Sequence, residues 1–298
     1  MRVDIEALHV LDVVIEQGSF AKAAVKLHKA QSAISYQIKK LEQQFDVAIF
    51  DRSSYRAELT PQGRALWQEG RQLLQQAMRI ENLADQYSKG WEPTFELVID
   101  GALPLEPVMK AMKALADKEI PTKIQIKVEA LGGVQMRFDQ DEANMMLVVD
   151  YTPNQKLNAI PLPEVPMVLV TASDHALAGQ PDIDLNQLLN HVELTIHDSS
   201  ETTTGKQDLL QFGGDKVFYL HGFDSKRTCL LMGLGYGWMP LSLISEELAT
   251  GKLIELNYLG GSRHAFTPQL VYSAEQPLGK AGEVILNEVL SEFAAYSQ

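Results

Sequence analysis

The chain has 298 residues, 45 % of them apolar, with 26 Lys and Arg against 39 Asp and Glu and a net charge of −13, which is too much chain for one small core and enough apolar content for more than one domain. No apolar run approaches the roughly 20 residues that span a bilayer, and Arg2, Asp4 and Glu6 do not make the basic-then-apolar start of a secretory leader, so a cytoplasmic protein with no membrane partner is expected. Cys229 is the single cysteine, which excludes an internal disulfide, a multi-thiolate zinc site and a two-cysteine redox switch.

The charge is divided unevenly. Residues 1–90 carry 12 Lys and Arg against 11 Asp and Glu, and the remainder carries 14 against 28. The acidic excess thus belongs to the last two-thirds, which should stay off phosphates, while the first third can approach a polyanion.

In chain order, Ser19 is a natural N-cap for a helix reaching about His28, with Phe20, Ala23, Ala24 and Leu27 on its inner face. A second helix opens at about Gln31 and buries Ile34, Ile38, Leu41 and Phe45, which turns Ser32, Ser35, Tyr36, Lys39 and Lys40 outward. Two short helices meeting at a tight turn form a helix-turn-helix, and short polar side chains with lysines suit base edges in a major groove. Gln31, Ser32, Ser35, Tyr36 and Lys39 are the candidate DNA contacts. Lys22, Lys26 and Lys29, at i, i+4 and i+7, either converge on phosphates beside them or merely solvate the helix.

Residues 51–60 are polar and read as a two-stranded wing closing on Leu59. From it Arg52 and Arg56 are candidate DNA contacts, Arg52 having the alternative of bracing Asp51 or Glu58 in a local ion pair. Pro61 then starts a long helix in which Leu66, Leu73, Ile80 and Tyr87 recur every seven residues, widened by Ala77, Leu83 and Ala84. Such a stripe on a helix outside a core is a dimerisation face, the alternative being packing on its own domain. Trp91-Glu92-Pro93 ends the helix and sets a hinge.

Beyond the hinge, strands at 95–99, 123–128, 145–149, 165–170 and 192–196 alternate with helices at 106–118, striped by Met109, Met112, Leu115 and Ala116, and from Asp184 to Leu189. That alternation argues an α/β architecture with mainly parallel sheets. Gly233-Leu-Gly235-Tyr-Gly237 has a GxGxG spelling but follows the helical stretch 226–232 and leads into Trp238-Met239, so it is a helix end and strand start, not a nucleotide loop. Trp238 itself belongs to the core.

Gly18-Ser19-Phe20, Ala23-Ala24, Gln31-Ser32-Ala33-Ile34-Ser35, Leu41-Glu42, Phe50-x-Arg52 and Leu59-Thr60-x-x-Gly63, in this order and spacing, resemble the LysR-type transcriptional regulators. Two positions depart from that pattern: Ala30 stands where a Ser or Thr usually precedes the recognition helix, and Asp46 where a Gly usually follows it. Neither is a groove-facing residue. The resemblance implies a multidomain chain: a winged helix-turn-helix at 1–60, a linker and dimerisation helix at 61–90, and an α/β, two-lobed type 2 periplasmic-binding-protein-like domain at 91–298. Its lobe I would span about 91–160 and 267–298 and its lobe II about 161–266, with a helix at 282–296 closing lobe I. Double-stranded promoter DNA, further copies of the chain in a dimer or tetramer, a small-molecule effector and RNA polymerase are the partners the resemblance implies. No cofactor, metal ligand or catalytic residue is assigned.

Ligands of open α/β sheets bind outside the carboxyl ends of strands, where helix N-termini offer free amides. The loops there nominate Ala102, Leu103, Leu131, Ser199, Thr202, Thr203 and Phe223 as effector-binding residues, with Ser199, Thr202 and Thr203 equally readable as helix caps. Where many members of the family hold a carboxylate with Ser or Thr, this chain has Leu103-Pro104, which implies a less anionic or partly aromatic effector. An enzyme is the rival class, but GxSxG, GxxxxGK[ST] and HExxH are all missing and His191 and His197 have no evident third ligand. An architectural DNA binder with no effector is the other alternative.

Overall fold

The protein is described by a computed structural model covering residues 3–51, 58–140, 143–200 and 209–296. They form two compact units, Met1–Lys89 and Gly90–Gln298. Among the described residues no helix is long and apolar enough to cross a membrane.

The first unit contains α1 (Ile5–Gln17), α2 (Phe20–Lys26), α3 (Gln31–Phe45) and α4 (Pro61–Ser88). Helix α1 is not among the elements anticipated above, although its signals are in the sequence: Asp4 caps it, its carboxylate accepting from the amides of Glu6 and Ala7, and Gly18 ends it in the left-handed conformation. Its Leu8, Leu11 and Val14 pack with Ala23, Ile34, Ile38 and Leu41 in one core. Phe50 and Leu59 form an isolated antiparallel bridge, and the Phe20 and Phe50 rings meet edge to face at 5.2 Å; residues 52–57 of the expected wing lie outside the described residues.

Helix α4 starts where Thr60 caps it, the hydroxyl accepting from Gly63 N at 2.8 Å and donating to Ala48 O at 2.6 Å. Gly63 cannot carry a side chain: a Cβ there would lie 2.1 Å from Ile49 O. The first half of α4 is not a free-standing linker. Leu66 and Trp67 pack on the core with Leu74, and the Trp67 indole donates to Asp12 at 2.7 Å. The expected seven-residue stripe therefore divides, because α1 already covers its start: Leu66 is half-buried in its own unit, whereas Leu73, Ile80 and Tyr87 are exposed.

The second unit opens with β1 (Thr94–Asp100), α5 (Leu105–Asp117), β2 (Lys123–Glu129), α6 (Gly132–Gln140), β3 (Met145–Val148), β4 (Leu157–Pro161) and β5 (Val165–Ala172). It continues through α7 (Leu185–Leu189), β6 (Glu193–Ile196), β7 (Val217–Leu220), α8 (Phe223–Leu231), β8 (Tyr236–Pro240) and α9 (Leu241–Ala249). Strands β9 (Leu253–Glu255), β10 (Arg263–Phe266) and β11 (Gln269–Ser273) and helix α10 (Lys280–Tyr296) complete it.

Two sheets result. One has the order β2-β1-β3-β11-β4, the other β10-β5-β8-β6-β7 with β9 on β5. The chain passes between them twice, from β4 to β5 and from β10 to β11, and the two passages are tied by Leu162 N donating to Pro268 O at 2.8 Å. In the first sheet β1 is parallel to both neighbours and apolar on both faces, with Phe95, Leu97 and Ile99 on the side of α5 and α10 and Val98 on the side of α6. Helix α5 turns Val108, Ala111 and Leu115 inward, so the expected stripe is corrected: Met109 and Ala116 face solvent, since the sheet selects the set one position earlier. In the second sheet Gly235 lies where a Cβ would be 2.1 Å from Val192 O, so the GxGxG stretch lets β8 approach β6 closely. Trp238 is 7 % exposed within the core.

Candidate functional site

The first unit presents one helix face. Ile34, Ile38 and Leu41 anchor α3 inside, and Gln31, Ser32, Ser35, Tyr36, Lys39 and Lys40 stand exposed on the opposite side. Its start has no side-chain cap at Ala30, which leaves the first amides of α3 to another acceptor. Asp46 ends it with φ +55°, a left-handed conformation that a carboxylate residue tolerates better than most. Glu42, on the flank, accepts from Ile49 N at 2.8 Å and Phe50 N at 3.2 Å and so ties the Ile49-Phe50 backbone to α3.

The basic cluster is partly spoken for. Lys26 pairs with Glu16 at 3.2 Å and Lys29 pairs with Glu6, both carboxylates of α1, which leaves Lys22, Lys39 and Lys40 as exposed cations without such an ion pair among the described residues. The Glu6 carboxyl is held below its ordinary range by the Lys29 hydrogen bond and charge. Arg52 and Arg56 lie outside the described residues.

In the second unit, the loops after β1, β2, β6 and β7 meet between the two sheets. A small inner cavity of ≈60 Å³ is walled by Ala102, Leu131 and Phe223 among the expected residues, and by Val149, Met167, Ile196, Leu209, Leu210 and Phe266, which sequence reasoning missed. Asp100 and Asp150 are also among its lining residues. Asp100 is 5 % exposed and its carboxylate accepts from Ala102 N at 2.9 Å. A wider outer cleft of ≈570 Å³ shares Asp100, Ala130 and Phe223 with the inner cavity and adds His197, Ser199, His221 and Asp224. The His197 and His221 rings lie 5.5 Å apart.

Two expected effector residues, Leu103 and Ser199, line the outer cleft and also make contacts of their own. Leu103 is 3 % exposed and belongs to the core, touching only the wall of the outer cleft. Ser199 lines the outer cleft with its hydroxyl engaged by backbone. Its hydroxyl accepts from Ala130 N at 2.9 Å and donates to Ala130 O at 3.1 Å, joining the lobe of β6 to the lobe of β2. The close approach requires a glycine: a Cβ on Gly133 would lie 1.9 Å from Ser199 Oγ. Thr202 and Thr203 lie outside the described residues. Among the described residues no group of three His, Cys, Asp or Glu is placed to hold a metal ion.

With both units in view, comparison with known proteins is decisive. Residues 5–64 match the family model of the bacterial regulatory helix-turn-helix protein, lysR family, and residues 88–294 match that of the LysR substrate binding domain. The chain belongs to the LysR family of transcriptional regulators. Among its relatives, the probable HTH-type transcriptional regulator YhaJ of Escherichia coli K12 is 31 % identical over 256 residues, 84 % of either chain. The HTH-type transcriptional activator AllS of Klebsiella pneumoniae is 29 % identical over 255 residues, 84 % of this chain and 94 % of its own.

The LysR-family architecture also extends over solved structures. The C206 mutant of OxyR from Corynebacterium glutamicum superposes with a TM-score of 0.65 at 17 % identity, over 99 % of this chain and 93 % of that one. The full-length virulence activator AphB of Vibrio cholerae gives 0.51 at 18 % identity, over 97 % and 99 %. At these identities the likeness is one of fold. As a LysR-family regulator the chain has a helix-turn-helix DNA-binding domain in its first unit and an effector-binding domain in its second.

Proposed function

We propose that this regulator, a non-enzyme working in the cytoplasm, binds two half-sites of an interrupted promoter palindrome as a dimer or tetramer, with α3 in the major groove. The observation that carries this reading is the two-sided α3, with Ile34, Ile38 and Leu41 fully buried and Gln31, Ser32, Ser35, Tyr36 and Lys39 exposed in one row. Arg52 and Arg56 of the wing would add backbone contacts. Leu73, Ile80 and Tyr87, exposed on α4 at seven-residue intervals, would make the face that pairs two copies.

The effector would sit between the two sheets, where Asp100, Ala130 and Phe223 are common to both compartments of the cleft. Its binding would favour one arrangement of the lobes over another and so change the spacing of the DNA readers, the bend of the promoter and the contacts made with RNA polymerase. Only an effector with different affinity for the two arrangements can do this. The test is DNA binding by the full chain, followed by fluorescence anisotropy against promoter fragments it selects from random DNA. A palindromic selected sequence, bound by two or four copies, supports the reading; loss of all sequence preference at physiological salt would reject it.

A further inference from the structure

The turn between β2 and α6 is held from outside, and the inference drawn from it rests on the effector reading above. Leu131 has φ +52°, a left-handed conformation that costs a leucine and not a glycine. Gly132 and Gly133 follow it directly, yet neither has a left-handed φ. Their lack of a side chain serves a different end: a Cβ on Gly132 would lie 2.9 Å from Asp198 Oδ2, and one on Gly133 would lie 3.0 Å from Ser199 Cβ. The bulky residue thus takes the strained position, while the glycines make room for the 198–200 segment of the opposite lobe. That segment grips the turn at one residue. Ala130 N donates to Ser199 Oγ at 2.9 Å, and Ala130 O accepts from Ser199 Oγ at 3.1 Å and from Ser199 N at 3.3 Å. A leucine persists in such a conformation where its surroundings over-determine it.

The same turn stands between the two compartments of the cleft. Ser199 lines the outer one and Leu131 the inner one, while Ala130 lines both. With Leu131 in its wall the inner cavity measures ≈60 Å³, well below the roughly 150 Å³ that holds benzene. We propose that Leu131 is the gate of the inner cavity and that Ser199 holds it shut. When the 198–200 segment leaves Ala130, the turn relaxes to an ordinary φ and carries the Leu131 side chain out of the cavity wall, with Gly132 and Gly133 supplying the freedom to do so. The inner cavity then joins the outer cleft across Ala130. A ring-sized effector enters the released turn alone, so its apparent affinity scales with the fraction of molecules in which the contact is broken. Separation of the lobes and opening of the cavity become one event.

The experiment uses the full chain with benzene as a neutral probe of space. Binding is read by calorimetry and by the methyl resonances of Met167 and Ile196, which line the inner cavity. Leu131→Gly, free to keep the left-handed conformation, is expected to bind benzene saturably and about tenfold tighter than the parent. Ser199→Ala alters no residue of the inner cavity, yet it is expected to bind benzene about fivefold tighter than the parent, because it raises the open fraction. Cooperative melting of each variant is the control. Benzene binding by Ser199→Ala that matches the parent would overturn the latch and with it the gate, since Leu131 would then be a wall residue like any other. Parent protein that binds benzene as tightly as Leu131→Gly would overturn the gate as well, and so would a Leu131→Gly variant that binds none. Benzene probes space and is not the effector, so each of these failures leaves the effector reading standing; that reading falls separately, if the full chain selects no DNA sequence.

Discussion

The hydroxyl of Ser199 occupies both backbone groups of Ala130, accepting from its amide at 2.9 Å and donating to its carbonyl at 3.1 Å. One side chain of the second lobe thereby satisfies a loop of the first, next to the cavity in which an effector would lie. Replacing it with alanine removes two hydrogen bonds and strands the Ala130 amide, while the Ala130 carbonyl keeps Gly133 N at 3.0 Å and Ser199 N at 3.3 Å; leaving that one amide unpaired costs roughly 1–3 kcal/mol. Ser199→Ala is expected to lower the melting temperature by a few degrees and to speed hydrogen exchange at the Ala130 amide. Unchanged exchange at Ala130 would show that the contact does not restrain the lobes.

Gly133→Ala is the sharper probe of the same contact. A Cβ at 1.9 Å from Ser199 Oγ cannot be accommodated without moving the 198–200 segment, since Ser199 C is also only 3.0 Å away. The expected result is a destabilised second unit that regains part of its stability when Ser199→Ala is added. That non-additivity identifies direct contact. Two changes whose costs simply add would refute the packing described.

Gly63→Ala tests the junction of α4 with the first core. The obstacle there is backbone: Ile49 O, C and Cα all lie within 2.8 Å of the added atom. Backbone has no rotamer by which to yield, so a loss of at least ~2 kcal/mol is expected. Chemical denaturation of the full chain should show it in the first transition to involve the Trp67 indole. A variant as stable as the parent would mean that α4 enters differently.

How much of this was legible beforehand differs by kind of information. The bounds of α4 could be read because they are written locally, by Thr60 and Pro61 at one end and by Gly90 to Pro93 at the other. What covers its apolar stripe could not, because a seven-residue repeat does not say whether its partner is α1, as for Leu66, or lies elsewhere. The α5 stripe failed for a related reason. The sequence LEPVMKAMKALAD holds two overlapping apolar sets, and only the sheet beneath it chooses Val108 and Ala111 over Met109 and Ala116.

The cleft was legible as a set of loops but not as chemistry. Ser199 was recognisable as a donor and acceptor, yet its partner is 69 residues away. Asp100 and Asp150 lie 50 positions apart on different strand ends and read singly as ordinary loop carboxylates. Their convergence on one cavity follows from β1 and β3 being neighbours in the sheet. An acidic residue at the end of each of two apolar strands was the available signal.

On the DNA side, Ser35→Ala and Tyr36→Ala change exposed residues of α3 and should leave the melting temperature within a degree or so of the parent. Each is expected to weaken binding to a selected operator by about 1–2 kcal/mol, roughly five- to thirtyfold, if it touches a base edge. Lys39→Ala should instead weaken all DNA similarly and flatten the salt dependence by about one unit. Anisotropy titrations at several salt concentrations separate the two behaviours. Parent-like binding by both the Ser35 and Tyr36 variants would remove that face from the groove.

Acid stability offers a test in a different part of the second unit. Burial pushes the Glu247 carboxyl up, but the hydrogen bond and charge of Arg227 on the neighbouring helix outweigh it and hold the carboxyl below its ordinary range. A carboxylate whose folded value is depressed stabilises the fold fully above the unfolded value of about 4.3, and that contribution disappears as pH falls through the folded value. Glu247→Gln is therefore expected to melt lower than the parent at pH 7. The difference should narrow steadily below about pH 4.5 as the parent's own carboxyl takes up its proton. Melting curves from pH 7 down to pH 3 would show the convergence; a gap that stays constant over that interval would mean the Arg227 pair contributes through packing and not through charge.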